Sequence, residues 1–497
     1  MPLRHLILPC ALVLLCAVAT TGCDDDDDGA ANNGATNNGA TNNGATSNGA
    51  TSNGATNNDP DPTGLDNTTL NALLSALGDG ALTEARLEAG TVAVEAACDV
   101  LVEQAAPEAS AVASEDHAVT LPVDCGADAD WLDTVQTAID DHDGASWLVI
   151  GLSGDCAVPA NHNDGAALWI EGARRVELRG EGARIDGAAW SAGHTDESVL
   201  ITIVDSEDLI VRGLELSNVT TATEGADAAA VYAEGVTRLV LEDLAITDIT
   251  VDYDAIGDPT EGNAYAIKVV GTDPGPSREV LIRYLYVGGT RTGQSENITL
   301  AGNVSAFAVA GNVIYDVDNI GIDLIGGEEF GASQARSGVV CGNGLGAQQQ
   351  DNAAYDGGES FGAGIYLDGG GTDCLVALNA VEGFARGFEV GAEGANPTVV
   401  RAHLFGNISF AARAAGLLMG SLAERDNPSV PTDRGTVVER MVIVANQSTA
   451  VETCLGGPLT DDEGAAHCEG GSVEHDVEVC FGEAMPASAE ACLWYSP

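Results

Sequence analysis

The sequence predicts an all-β chain wound as a parallel β-solenoid, with a short helical segment ahead of it. Three observations predict this. Short apolar runs alternate with small or polar residues, as in GNVIYDVDNIGIDLIGG from Gly311 to Gly327. No two-residue hairpin turn separates them, and none is long enough for a helix. From Trp147 onward such runs recur at intervals of 23–43 residues, the mark of a repeat architecture.

The repeats align in two independent columns. The first holds Leu214, Leu244, Leu285, Asn312, Asn343, Asn379, His403 and Met441. The second holds Thr202, Tyr232, Lys268, Thr299, Asp323, Tyr366, Glu389 and Leu418. Around the second column the neighbours are apolar almost throughout, from Ile201 and Ile203 to Leu417 and Met419. Such period-2 alternation sends one set of side chains inward and the other outward. Each coil is then one turn, stacked on the next as parallel strands about 4.8 Å apart. Gly and Asn are expected at the corners, where φ > 0 is needed. Asn312, Asn343 and Asn379 read as an inward asparagine ladder, with His403 continuing it.

Ahead of the solenoid the chain changes character three times. Residues 1–22 carry a basic start (Arg4, His5) and an apolar core too short to span a bilayer, the pattern of a signal peptide. Thr20-Thr21-Gly22-Cys23 resembles a bacterial lipobox, with lipidation expected at Cys23; cleavage after Ala17-Val18-Ala19 and free secretion is the alternative. Residues 23–64 hold the run Asp24 to Asp28 and repeats of Asn-Asn-Gly-Ala-Thr. These residues cannot bury enough apolar area to offset chain entropy, so they form a flexible tether reaching roughly 30–35 Å. Residues 65–120 turn helical: Leu70, Leu73, Leu74 and Leu77 share a face, and Thr83 precedes EARLEAGTVAVEAACDVLVEQA as its N-cap. This element is expected to cover the end of the solenoid, which runs from 121 to 450. Residues 451–497 are a Cys-rich cap.

Composition bounds the partners. Net charge is −57, from 19 Lys+Arg against 76 Asp+Glu. Such an anion repels phosphate backbones, which excludes nucleic acid, and it repels bare polyanions unless a cation bridges them. Twelve cysteines in an exported chain imply disulfides. Cys125–Cys156 and Cys341–Cys374 are the expected pairs; Cys454, Cys468, Cys480 and Cys492 would make two bridges in the cap, and Cys98 is left over. The gaps among the last four lack a CxxC knuckle, which argues against zinc.

NIGIDLIGGE, GAGIYLDGGGTDCLVALN and RGFEVGAE resemble coils of the right-handed parallel β-helix family, the pectate-lyase-like superfamily. The upstream VDCGADADWLDTVQTAID resembles its entry, a capping helix before a first coil. The resemblance covers about residues 120–450 and implies a right-handed solenoid. For activity it implies only a range, from lyases and hydrolases to non-enzymatic surface proteins.

Chemistry is expected on the outward row. Asp323, Tyr366, Asp368 and Glu389 would share one patch, with Lys268, the only lysine, two rungs from Asp323. Asp323, Asp368 and Glu389 could hold Ca²⁺ through carboxylate oxygens. Lys268 or Tyr366 could act as base in a β-elimination, and Asp323 with Glu389 could serve as a glycosidase pair. Tyr232 would be a sugar platform. The expected partner is a polysaccharide or cell-surface glycan, bound or cleaved along an acidic solenoid face; the alternative is a non-catalytic surface or adhesion module. Insertions at Asp254–Gly262 and Asp356–Glu359 would rim the groove, with Glu328 and Glu393 at corners.

Overall fold

The computed structural model describes residues 65–495, except 79, 113–117, 163–164, 193–196, 328–332, 349–350, 356–357, 359, 361, 393–399, 421–435, 446–448 and 454–475. The signal and tether segments, Cys23, Cys454, Cys468, Glu328 and Glu393 lie outside the described residues, as do Asp356 and Glu359.

Alternating apolar residues wind the chain into a right-handed parallel β-helix. Ten strands, one per coil, form one sheet from Ala166–Glu171 to Thr449–Thr453. The strands between them make a second, 20-stranded sheet that bends around the rest of each coil. Among the described strands coil-to-coil pairing is parallel, and only the short Trp494–Tyr495 strand pairs antiparallel, with Val479–Cys480. The flanking residues of the second column (Ile201, Val231, Ile267, Ile298, Ile322, Ile365, Phe388, Leu417) stack in the core, each at most 1% exposed. The opening stretch behaves as its pattern demands: Val313–Tyr315 and Ile320–Ile325 are strands, and Asp316 turns the corner at φ 60°.

Solenoid pairing extends further than the sequence pattern suggested. It begins with Val119–Asp124 on Leu148–Ser153 and continues past residue 450, through Thr449–Thr453 and Asp476–Gly482. Part of the expected C-terminal cap is therefore coil. Cys480–Cys492 ties down its end.

The first column holds with one correction. Asn312, Asn343, Asn379 and Asn407 form the ladder, all at most 1% exposed; His403 pairs instead with Leu375 on the preceding strand tier. Each Nδ2 donates to the next Oδ1 at 2.9 Å, and the same Oδ1 accepts the backbone N–H of the asparagine before it. The amide is needed there because the corner leaves backbone groups that no strand partner meets. The corner itself lies one residue earlier. Gly213, Asp243, Tyr284, Gly311, Gly342, Leu378, Gly406 and Arg440 all have positive φ and stack as a column. Gly occupies half of these positions, and Asn none: asparagine here is the brace, not the bend.

The helices divide the remaining work. α1 (Asn67–Leu77) is capped by Asp66, whose side chain accepts from Thr68 N and Thr69 N. α2 (Glu84–Ala105) and α3 (Pro107–Ser110) follow. α1 and α2 lie along the flank of the 20-stranded sheet rather than over its end, with Leu87, Val94, Leu101 and Val102 packed on Ala308, Val339, Ala377 and Phe405. A Cβ at Gly344 would come within 2.8 Å of Leu87 Cβ, so glycine sets how closely α2 approaches. Cys98 of α2 is bonded to Cys341, and Cys374 is free and buried. The expected Cys341–Cys374 pair is thereby replaced, while Cys125–Cys156 forms as expected. The end is closed by α4 (Trp131–Asp140). Its Trp131 donates to Ala157 O at 3.1 Å, and its Gln136 brackets the backbone of Trp169 on the edge strand. That covers a strand edge otherwise open to pairing.

Candidate functional site: a covered polar row on the ten-stranded sheet

The second column is a row of vertical neighbours. Pairing runs Thr202↔Tyr232↔Lys268↔Thr299↔Asp323↔Tyr366↔Glu389↔Leu418 without a slip. Tyr366 therefore stands between Asp323 and Glu389, one rung of about 4.8 Å from each. Asp368, two residues along from Tyr366, faces the same side. Trp169 extends the row one coil earlier, in register with Thr202.

Burial divides the row. Trp169 is 38% exposed, while Asp323 (1%), Tyr366 (2%), Glu389 (5%), Asp368 (7%) and Lys268 (8%) are covered. The sequence placed these side chains on an open acidic face; they point outward from the sheet but lie beneath other parts of the chain. Covering ionisable groups costs free energy unless they are paired or hydrogen-bonded.

Glu389 and Lys268 follow that rule. Arg386 Nη1 donates to Glu389 Oε2 at 2.8 Å. Lys268 Nζ donates to Asp227 at 3.5 Å and to Tyr265 Oη at 3.2 Å, and sits 4.2 Å from the centre of the Tyr265 ring. Burial pushes the Tyr265 phenol up, with Lys268 pulling the other way. Thr299 donates to Glu296, and Tyr232 to Glu234. Lys268 is thus held between a carboxylate and a phenol.

The calcium expectation fits poorly. Among the described residues no group of three or more His, Cys, Asp or Glu is placed to hold a metal ion. Asp323, Asp368 and Glu389 share a face without forming a ligand set, so no step is routed through a metal.

Sequence reasoning missed a second buried network beside the row. Asp318 accepts from Tyr253 Oη at 2.7 Å and from Thr292 N at 2.9 Å. Next to it Asn319 donates to Ser295 O at 2.8 Å and accepts from Tyr355 and Ser360. Burial pushes the Asp318 carboxyl up to about 6, against the hydrogen bonds from Thr292 and Tyr253. The signal was the Asp-Asn pair directly before the Ile320–Ile325 strand. The Asp254–Gly262 insertion lies beside Tyr253, and its Glu261 O accepts from Gly225 N. A separate cleft of about 340 Å³ lies between α2 and the flank, lined by Glu84, Glu88, Glu95, Tyr284 and Tyr286; it shares no residue with the row.

Fold and row together define the class: a parallel β-helix whose ten-stranded sheet carries a covered polar row. No family model matches the chain. A stretch of 133 residues is 35% identical to the uncharacterized protein YwoF of Bacillus subtilis (strain 168), covering 27% of each chain, so this chain spans about a quarter of that relative's length. Solved structures similar to it include a polygalacturonase from Erwinia carotovora ssp. carotovora (10% identity, TM-score 0.40, covering 69% of this chain and 96% of that one). A GH136 lacto-N-biosidase from Eubacterium ramulus has 12% identity and TM-score 0.41, covering 80% and 72%. The A-module of the mannuronan C-5 epimerase AlgE6 from Azotobacter vinelandii has 13% identity and TM-score 0.33, covering 66% and 92%. The fold rests on the strand pairing already described, not on these likenesses.

Proposed function

We propose that this is an exported glycan-active protein that engages a polysaccharide along the outward row of its ten-stranded sheet. The observation that carries the reading is the unbroken register from Trp169 to Glu389. It aligns an exposed indole, Tyr232, Lys268 and the Asp323–Tyr366–Glu389 trio on one line. A line of aromatic and polar groups repeating every rung suits a linear chain of sugars, whose apolar ring faces stack on aromatic side chains while their hydroxyls reach carboxylates.

For a catalytic row, hydrolysis is the chemistry this spacing supports best, whereas the burial of Asp323 and Tyr366 favours a non-catalytic module. Asp323 and Glu389 are two rungs apart, about 9–10 Å along the sheet and at the upper end for an inverting pair, with Tyr366 on the rung between them. Glu389, paired with Arg386, is assigned as the base and Asp323 as the acid. Elimination with Lys268 as base is disfavoured by its contacts with Asp227 and Tyr265. Three disulfides among the described residues (Cys98–Cys341, Cys125–Cys156, Cys480–Cys492) support an oxidising compartment, and Cys23 is the proposed lipid attachment. Cys23→Ala should move the protein from the detergent phase to the aqueous phase on partitioning; an unchanged distribution favours cleavage after Ala19.

The test is product analysis of the purified protein on a polysaccharide panel. Asp323→Asn and Glu389→Gln should each lower turnover by roughly 100-fold or more while leaving the melting transition in place. Binding without any product from the wild type would identify the non-catalytic surface module, a reading that the deep burial of Asp323 and Tyr366 favours. Neither binding nor product would remove the glycan reading.

A further inference from the structure

We infer that the cleft between α2 and the flank binds a linear aliphatic polyamine, whose ammonium groups meet Glu84, Glu88 and Glu95 while its methylenes lie on Val92, Leu285 and Val313. The site shares no residue with the outward row, so the inference does not depend on the glycan reading. The cleft is open to solvent. Glu84, Glu88 and Glu95 are exposed, Val92 is 64% exposed, and Tyr284 and Tyr286 are half-buried, over a floor of buried Leu285 and Val313. Its volume of about 340 Å³ is that of a small-ligand pocket.

Two phenols form the wall opposite the helix. Gly288 and Gly311 let their rings lie against the backbone: a Cβ would come within 2.8 Å of Tyr286 and 2.9 Å of Tyr284. Tyr284 donates to Asp99 at 2.7 Å, and Tyr286 bonds Glu84. Burial first, and then these carboxylates, push both phenols up, so the wall stays neutral and its field negative. The protein's own Arg283, held by Glu242, rests 5.3 Å from the centre of the Tyr284 ring, an instance of this wall taking a cation.

The helix face brings charge without a counter-ion. Glu84, Glu88 and Glu95 lie within about 40° of one another around α2, at steps of about 6 Å and about 10 Å along its axis. Like charges four residues apart destabilise a helix. The one basic residue of α2, Arg86, donates to Ala81 O, and among the described residues none of the three glutamates is in an ion pair. Elsewhere on the flank the acids are matched: Glu177 by Arg212, Glu242 by Arg283, Asp208 by Arg238. A metal ion needs its oxygens gathered around one point, whereas these carboxylates spread over about 16 Å of helix, and among the described residues no group is placed to hold one. A monoamine meets a single carboxylate. A chain that alternates ammonium and methylene matches a surface that alternates carboxylate and apolar side chain.

The experiment titrates the full-length protein with spermidine in a calorimeter at physiological ionic strength, beside propylamine, diacetylated spermidine, magnesium and trilysine. The expected result is one spermidine per chain, bound more tightly than any of the other four. Glu88→Gln with Glu95→Gln should weaken it by about tenfold or more. Glu103→Gln with Asp133→Asn removes two exposed charges away from the cleft and should change it by less than about twofold. Both double variants should keep the wild-type melting transition. Equal weakening in the two, or many spermidines per chain, would mean a diffuse counter-ion cloud around an acidic chain and overturns the inference. So does magnesium bound as tightly as spermidine, and so does tighter trilysine, which would assign the cleft to a lysine-bearing protein segment. Glycan binding should be the same in the cleft variant as in the wild type, so either reading can fail while the other stands.

Discussion

Asn343 shows what a single side chain does in a coil. Its Oδ1 accepts from the backbone and amide of Asn312, while its Nδ2 donates to Val309 O and Asn379 Oδ1. Asn343→Ala leaves several buried polar groups unmet and should destabilise by about 3 kcal/mol in denaturant unfolding, far beyond the effect of the lost volume. Asp318 makes a pH-dependent contribution. Its folded pKa, about 6, lies above its ordinary 3.8, so the native state binds the extra proton between those values. The associated stability is full below about 3.8 and lost as pH rises through about 6. Asp318→Asn should flatten that fall. Glu382, also pushed up to about 6 by burial, remains in both proteins, so the difference between them isolates Asp318. Both residues illustrate the limit of reading letters. The ladder was legible as a repeated asparagine, yet its fourth member is Asn407. The Gly-Asn pairs at 311–312, 342–343 and 406–407 mark it, and a spacing that admitted His403 hid it.

At the scale of elements, the strands were legible and their coverings were not. Period-2 alternation reports which face a residue takes, and so the whole outward row could be aligned from Thr202 to Leu418. It does not report what covers that face, because period 2 carries only the side a residue takes. The same holds for α2. Thr83 and the run after it announced a helix, but the flank that receives α2 is assembled from several separate coils. The disulfide with Cys341 joins residues 243 apart in sequence, a pairing that local spacing cannot suggest. Replacing both partners (Cys98→Ala with Cys341→Ala) should cost about 2–4 kcal/mol of unfolding free energy, read by denaturant titration. The apolar contact of α2 should keep it docked, so its protection from proteolysis should weaken rather than vanish.

At the scale of the molecule, charge and topology set the terms. A net charge of −57 means that the folded chain repels itself, and raising ionic strength should lift the melting temperature until screening is complete. The bridge from Cys98 to Cys341 has a consequence for assembly. A chain delivered amino end first exposes the Cys98 thiol while its mate is still 243 positions away, whereas Cys125 and Cys156 arrive only 31 apart. An oxidant acting on the emerging chain finds the wrong neighbours first. Maturation therefore depends on a thiol that stays reduced until the middle coils have formed, or on an isomerase that undoes an early mistake.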